Sequence, residues 1–164
     1  MLTLHIAYTE PVNSDDSIPP LTHEQVWNGL KCKVRRPQDF IPSLTDCKVI
    51  EERDDGNFVV REALVAPELK ASPMAGISAR EECRLYPPTR TYFTLPNESV
   101  VQNILSVVPD NMLYLTFTYD WKFENMEPGT EEARNIEESH MDIAKSSVKG
   151  TIRAVRAMVG KGKL

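Results

Sequence analysis

The side chain best placed for proton transfer in this sequence is His140, within the stretch Thr130–Val159. At 3.6 residues per turn, small and apolar residues fall on the same side as His140 and charged residues fall opposite. The residues on that side are Ala133, Ile136, Ile143, Ala144, Ser147, Val148, Thr151, Ala154, Val155 and Met158. Imidazole titrates near neutral pH, so His140 could act as a general acid or base. A core histidine bonded to a backbone carbonyl would give the same pattern, and both interpretations stay open.

Glu81 is the second catalytic candidate, because it alternates with apolar residues along a predicted strand. It shares one face of that strand with Ile77, Ala79, Cys83 and Leu85. A carboxyl group buried there would suit proton transfer. A register shift by one residue would turn Arg80, Glu82 and Arg84 inward instead. A buried ion pair with an arginine is a further alternative.

Other polar and aromatic residues are candidates for ligand binding. Arg61 and Glu62 are neighbours on one strand with apolar residues on both faces, so the periodicity does not decide which of them points inward. Asn103 shares a face with Val101, Leu105 and Val107 and could bond a ligand carbonyl, although a structural role would explain it equally. We expect a mostly apolar internal cavity whose walls include Phe117, Tyr119, Trp121, Ile136, His140 and Ile143.

Motifs of the familiar hydrolases, nucleotide-binding proteins and metalloproteases are absent. The sequence contains no GxSxG, no GxxxxGK[ST] and no HExxH, and it has three histidines. Its three cysteines, Cys32, Cys47 and Cys83, have no metal-binding spacing and are interpreted as small core residues. We therefore expect neither a metal nor another cofactor.

The elements that must position these residues are mostly strands. Apolar and polar residues alternate from Leu2 to Thr9, and a capping box at Thr22-His23-Glu24-Gln25 opens a helix that Pro37 ends. Asp39–Pro42 is a short helix or a turn. Alternation then resumes in six segments joined by turns, which are 44–52, 58–66, 77–86, 90–95, 100–107 and 112–123.

The stretch Thr130–Val159 is predicted to be a long amphipathic helix. Thr130 is suited to cap its start, and Gly160 is expected to stop it. A curled antiparallel sheet of seven strands needs such a helix to cover its apolar concave face. The predicted fold is therefore α+β, a helix-grip domain over residues 1–164 in which the sheet wraps the C-terminal helix and encloses an apolar cavity of several hundred Å3.

Composition excludes several classes of function. The chain has 164 residues and a net charge of −5, which argues against nucleic acid as a partner. No apolar run is long enough to span a membrane, and Met1–His5 does not resemble the start of a signal peptide. We expect a cytoplasmic protein of one domain, and we leave open whether it is a homodimer.

Several segments resemble a known family. They are residues 21–30 (LTHEQVWNGL), 37–42 (PQDFIP), 85–88 (LYPP) and 112–119 (MLYLTFTY). Together with the element order, they are similar to the AtaL-like proteins of the START and birch-pollen-allergen (SRPBCC) superfamily, found in fungal secondary-metabolite clusters. The resemblance implies the helix-grip fold and a hydrophobic small-molecule ligand. It also implies that some related proteins are cyclases or aromatases that act on polyketides.

Two functions follow as hypotheses. The first is a cofactor-independent cyclase, isomerase or dehydratase (an isomerase or lyase) that acts on a hydrophobic intermediate of natural-product biosynthesis. The second is a non-catalytic protein that binds or carries a hydrophobic ligand. The resemblance to proteins of biosynthetic clusters favours the enzyme, and the small number of ionisable candidates favours the carrier.

Overall fold

The computed structural model of the chain describes residues 1–14, 19–67 and 76–164. Within these ranges seven strands form an antiparallel sheet, and two α-helices accompany it. The elements are β1 (Leu2–Pro11), α1 (His23–Arg35), β2 (Leu44–Arg53), β3 (Phe58–Val65), β4 (Ser78–Tyr86), β5 (Arg90–Thr94), β6 (Val100–Val108), β7 (Met112–Phe123) and α2 (Glu131–Gly160).

The sheet has the order β1-β7-β6-β5-β4-β3-β2. From β2 to β7 each strand pairs with its neighbour in sequence, while β1 returns to pair with β7. The short turns 54–57 and 109–111 contain residues in the left-handed region, where Asp, Asn and Gly are favoured. This is the helix-grip arrangement that the strand periodicity predicts.

Helix α2 lies across the sheet and packs mainly against β1 and β7. Thr130 caps it as predicted, since the Thr130 hydroxyl accepts a hydrogen bond from the Ala133 N–H at 3.1 Å. The residues that it buries are Ala133, Ala144, Val148, Thr151 and Val155. The predicted stop at Gly160 is wrong by one residue, because Gly160 is the last helical residue and Lys161 is the C-cap.

Helix α1 begins with the predicted capping box. The Thr22 hydroxyl accepts from the Gln25 N–H at 3.1 Å, and the Gln25 side chain accepts from the Thr22 N–H at 2.9 Å. A 3-10 turn over Pro37–Asp39 follows. The segment 39–42, predicted as a short helix or a turn, therefore begins at the end of this turn, and its Phe40 is buried. The turn leads the chain to the start of β2, beside α2.

The predicted strand bounds agree with the structure within two residues. Strand β1 is longer than expected and includes Pro11, whereas β3 ends at Val65 and β4 begins at Ser78. The sequence also predicts loops at 11–20 and 67–76, and both segments fall partly outside the described residues. In the described ranges no helix is both long and apolar enough to cross a membrane.

Helix α1 lies against α2 at Gly29. A Cβ atom built on Gly29 would lie 2.4 Å from Cγ2 of Val155, which is itself fully buried in α2. We therefore expect Gly29→Ala to lower the free energy of unfolding by about 1–3 kcal/mol despite the better helix propensity of alanine. Denaturant unfolding of the purified variant measures this.

Gly150→Ala in α2 is the matched control, because the nearest atom to its added Cβ lies at an ordinary 3.7 Å. Here only the propensity gain remains, and stability should rise by up to about 1 kcal/mol. Equal effects of the two substitutions would contradict the packing argument.

Candidate functional site

A cavity of about 210 Å3 lies between the sheet, the end of α1 and α2. It is smaller than the predicted several hundred Å3, and its lining includes the large side chains of Lys33, Arg61, Tyr119 and Trp121. Its walls combine apolar residues with a few polar ones. The lining residues are Lys33, Ile41, Ser43, Leu44, Arg61, Glu81, Phe93, Leu95, Val101, Tyr119, Trp121, Ile143 and Ser147.

Lys33 is the most unusual member of this lining. Its side chain leaves the last turn of α1 towards the sheet and is 5% exposed. Nζ donates a hydrogen bond to Oδ1 of Asn103 at 2.9 Å and lies 4.1 Å from the ring centre of Phe117. Burial, assisted by the positive charge of Arg61 and opposed by Glu81, lowers the pKa of Lys33 to about 7. Lys33 can therefore take up or release a proton near neutral pH.

Arg61 and Glu81 form a buried ion pair beside Lys33. They are directly opposite each other in the pairing of β3 with β4, so the sheet register brings them together. The Arg61 Nε and Nη2 atoms lie 2.7 and 2.5 Å from Oε2 of Glu81. Arg61 Nη1 also donates to the carbonyl oxygens of Lys33 and Val34, at 2.9 and 2.8 Å. The guanidinium thereby joins the sheet to the C-terminal end of α1.

Tyr119 and Trp121 form the wall on β7. Their rings stack with centroids 5.6 Å apart. Burial raises the pKa of Tyr119 to about 12, an effect reduced by a hydrogen bond with Ser147, so the phenol stays neutral. Trp121 Nε1 and Asn103 Nδ2 are buried without a hydrogen-bond partner among the described residues. Unpaired donors of this kind favour a ligand that carries oxygen acceptors.

A wider groove adjoins the cavity on the side of α2. Its volume is about 1080 Å3, and it lies between residues 38–43 and the face of α2 that includes Ser139, Gly150 and Arg153. Ile41, Ser43, Ile143 and Ser147 line both spaces. A ligand in the cavity could therefore extend into the groove between these four residues.

Comparison with known proteins relates this architecture to a family. The family model named AtaL, "Acetylaranotin biosynthesis cluster protein L", matches residues 6–162. The chain belongs to the AtaL family. A curated relative of the same description from Aspergillus terreus (strain NIH 2624 / FGSC A1156) is 27% identical over 162 residues, which cover 99% of this chain and 94% of the relative.

Solved structures share the fold of this AtaL-family chain at low sequence identity. The Zhui aromatase/cyclase from Streptomyces sp. R1128 superposes with a TM-score of 0.68 at 16% identity, covering 96% of each chain. The di-domain aromatase/cyclase StfQ from the steffimycin biosynthetic pathway gives 0.70 at 12% identity, with 98% of this chain and 52% of StfQ covered. A START superfamily protein from Mycobacterium smegmatis gives 0.59 at 13% identity. The helix-grip, START-like fold is thereby confirmed.

His140 lies outside the lining of the cavity, so its expected place in the cavity wall is corrected. Its Nδ1 is 2.9 Å from the carbonyl oxygen of Ile136, one turn earlier in α2, and serves as the donor to it. The imidazole packs edge-on against Trp121 and Phe123, with ring centroids 5.5 and 5.4 Å away. These contacts match the alternative of a packed histidine satisfied by a backbone carbonyl.

The remaining candidates divide between the cavity and its surroundings. Arg61, Glu81, Tyr119, Trp121 and Ile143 line the cavity. The other three lie around it. Phe117 is buried under the Lys33 ammonium, Asn103 is buried as the acceptor for Lys33, and Ile136 supplies the carbonyl bonded by His140.

The cysteines are free thiols, as expected from their spacing. Burial raises the thiol pKa at all three, and to about 12 at Cys83, so they remain protonated at neutral pH. Among the described residues, no three histidine, cysteine, aspartate or glutamate side chains come together as a metal-binding group.

Sequence reasoning missed Lys33, although a signal was present. Lys33 follows Leu30 by three residues and Val26 by seven, which places it on the buried face of α1. A lysine on an apolar helix face can extend its charged end to water, so the pattern alone does not predict full burial.

The packing of His140 leads to a stability prediction. His140→Ala removes the two aromatic contacts and should lower the free energy of unfolding by about 1–2 kcal/mol, while ligand affinity of the cavity stays unchanged. Ser139→Ala, an exposed neighbour, should stay within about 0.5 kcal/mol of the original protein. Weakened ligand binding with unchanged stability would reinstate His140 as a cavity residue.

The pKa of Lys33 predicts a specific pH dependence of stability. Above pH 7 the unfolded chain keeps a proton on Lys33 that the folded chain has lost, so stability should rise with pH up to about 10. Lys33→Met lacks this contribution. The difference in unfolding free energy between the original protein and Lys33→Met should grow by at most about 1.4 kcal/mol per pH unit in this window.

Lys31→Met, on the exposed side of the same helix, is the control for that measurement. Its difference from the original protein should stay flat from pH 7 to about 9, because Lys31 is exposed to solvent in the folded protein as it is in the unfolded chain. A flat difference for Lys33→Met as well would show that Lys33 has an ordinary pKa in the folded protein.

Proposed function

We propose that this AtaL-family protein binds a hydrophobic biosynthetic intermediate in the cavity and catalyses its cyclisation, dehydration or isomerisation. None of these reactions changes the oxidation state of the substrate overall, so proton transfers and a fixed substrate conformation are sufficient. The observation that carries the proposal is the buried amine of Lys33 in the lining of the cavity, with a pKa of about 7.

Lys33 is the proposed general base and acid. A catalytic group works best when its pKa lies near the working pH, because both protonation states are then populated. Asn103 holds Nζ at 2.9 Å, and the aromatic rings of Phe117 and Phe93 limit its solvation. The neutral amine would remove a proton next to a substrate carbonyl, and the ammonium would return a proton later in the reaction.

Arg61 and Trp121 are the proposed stabilisers of negative charge. Lys33 and Arg61 place two cationic groups in the lining, against the single carboxylate of Glu81. An enolate oxygen that forms in the cavity would therefore meet an excess of positive charge, and it could also accept from the unpaired Trp121 Nε1. Glu81 has a positioning role here, since it holds the guanidinium of Arg61.

The names of the similar proteins agree with this proposal. The curated relative from Aspergillus terreus is named for a biosynthesis cluster, and two of the similar structures are aromatase/cyclases. The groove next to the cavity would accommodate the part of a substrate that exceeds about 210 Å3.

A non-catalytic carrier is the second candidate. The observation in its favour is that Arg61 is already fully engaged, with Glu81 and with two backbone carbonyls of α1. An ion pair of this kind can serve to fix the fold and need not take part in chemistry.

Binding is tested first, with the fluorescent dye 1-anilinonaphthalene-8-sulfonate as the probe. Ser147→Trp places an indole where cavity and groove meet, and it should weaken dye binding about tenfold or more by occupying the space. Lys145→Trp, two residues earlier and exposed, is the matched control and should bind like the original protein. Equal affinities in all three folded proteins would overturn the cavity as the ligand site.

Turnover is tested with small molecules that co-purify with the protein, identified by mass spectrometry. If the protein is an enzyme, the original protein and Lys31→Met should convert a bound compound, with loss of water or with isomerisation. Lys33→Met should convert the same compound at least about tenfold more slowly. A carrier predicts that all three proteins return the bound compound unchanged.

A further inference from the structure

Three charged side chains line the cavity: Arg61 and Glu81 are paired with each other, and Lys33 lacks an ion-pair partner among the described residues. Within the described residues no carboxylate lies within ion-pairing distance of its Nζ, because Glu81 is engaged by Arg61. Its hydrogen-bond partner is the neutral amide oxygen of Asn103. The lone pair of the neutral amine is thus not needed for the fold, and it is available to a ligand.

The surroundings of Nζ are those of a nucleophilic amine. The ring centres of Phe117 and Phe93 lie 4.1 and 5.9 Å from Nζ, and Lys33 lies in the lining of the cavity. Charged and titratable groups reach this place from three strands: Arg61 from β3, Glu81 from β4 and Tyr119 from β7. An apolar pocket and a neighbouring cation both favour the neutral, nucleophilic state of lysine.

We propose that Lys33 is a covalent catalyst that forms an imine with a ketone or aldehyde group of the ligand. This inference rests on the proposed function and names its substrate class, hydrophobic carbonyl compounds. The unpaired donors of Trp121 and Asn103 agree with a ligand rich in oxygen acceptors.

The covalent step balances without an added reagent. The nitrogen lone pair of Lys33 adds to the carbonyl carbon, two N–H protons leave with the carbonyl oxygen as water, and a C=N bond replaces C=O. The imine takes up a proton from solvent, which withdraws electrons and makes the adjacent C–H bond more acidic. Solvent accepts the proton of that bond, and the resulting enamine carbon attacks a second carbonyl of the same molecule, whose oxygen takes up a proton as the ring closes. In this step Lys33 acts through the C=N bond and not as the base. Hydrolysis of the imine then returns the product and the free amine.

Cyclohexanone with sodium cyanoborohydride at pH 7 is the probe for this step. The ketone is small enough for a cavity of about 210 Å3, and hydride from the reagent converts any imine into a stable secondary amine. Peptide mapping by mass spectrometry then gives the labelled fraction of each lysine. Lys31, exposed on the same helix, is the internal reference.

We expect Lys33 to be labelled at least about tenfold faster than Lys31, because burial and the neighbouring Arg61 favour the neutral, nucleophilic amine at Lys33. The preference should disappear in urea, where the cavity is lost. Labelling of Lys33 no faster than that of Lys31 in the folded protein overturns the proposal.

Two variants separate this proposal from the proposed function. Lys33→Arg keeps a cation but no nucleophilic amine, so it should lose the label at position 33 while still binding the dye. Ser147→Trp should lower both dye binding and labelling of Lys33, and unchanged labelling would show that the ketone does not reach Lys33 through the cavity. Dye binding in the cavity without labelling of Lys33 would overturn the imine and leave the proposed function standing.

Discussion

The hydrogen bonds from Arg61 to the end of α1 are the interaction on which the site depends. The last carbonyl groups of a helix have no partner within the helix, and those of Lys33 and Val34 are buried against the sheet. Arg61 satisfies both with one guanidinium nitrogen, and Glu81 holds the other side of the guanidinium from the neighbouring strand. The same contacts fix the direction in which the Lys33 side chain leaves its helix.

The electrostatic state of the interior follows from this arrangement. Placing charges in an apolar interior is unfavourable unless each has a partner, and breaking a buried pair by removing one member destabilises a protein by about 3–5 kcal/mol. Arg61 and Glu81 satisfy each other, so both can stay charged. Lys33 has an amide as its partner instead, and burial together with the positive charge of Arg61 lowers its pKa.

Periodicity predicted the fold well and the interior less well. The alternation along β7 and the capped helix at Thr130 were sufficient for the architecture, because burial of one face determines the register of a strand. Arg61 could not be placed from its strand, since β3 also buries Phe58 and Val60 on the opposite face. On that face the guanidinium groups of Arg53 and Arg84 cover the Phe58 ring at 4.1 and 4.5 Å. Because both faces of β3 carry buried apolar residues, the sequence pattern does not show which face points into the cavity. His140 could not be placed for a different reason. A helical projection shows that it lies on the apolar side of α2, but it does not show which residues of the sheet pack against it there.

The unequal sizes of the cavity and the groove have a consequence for selectivity. The cavity is narrow, and hydrogen bonds with Arg61 and Asn103 hold its polar atoms in place. A small difference in the shape of the ligand group that enters the cavity would therefore lower its affinity strongly. Outside, the groove is about five times larger and lies along α2, and it imposes few requirements on shape. A chain built in this way would distinguish compounds by one functional end and tolerate different remainders, so that a set of homologous compounds with a common head group could share one protein.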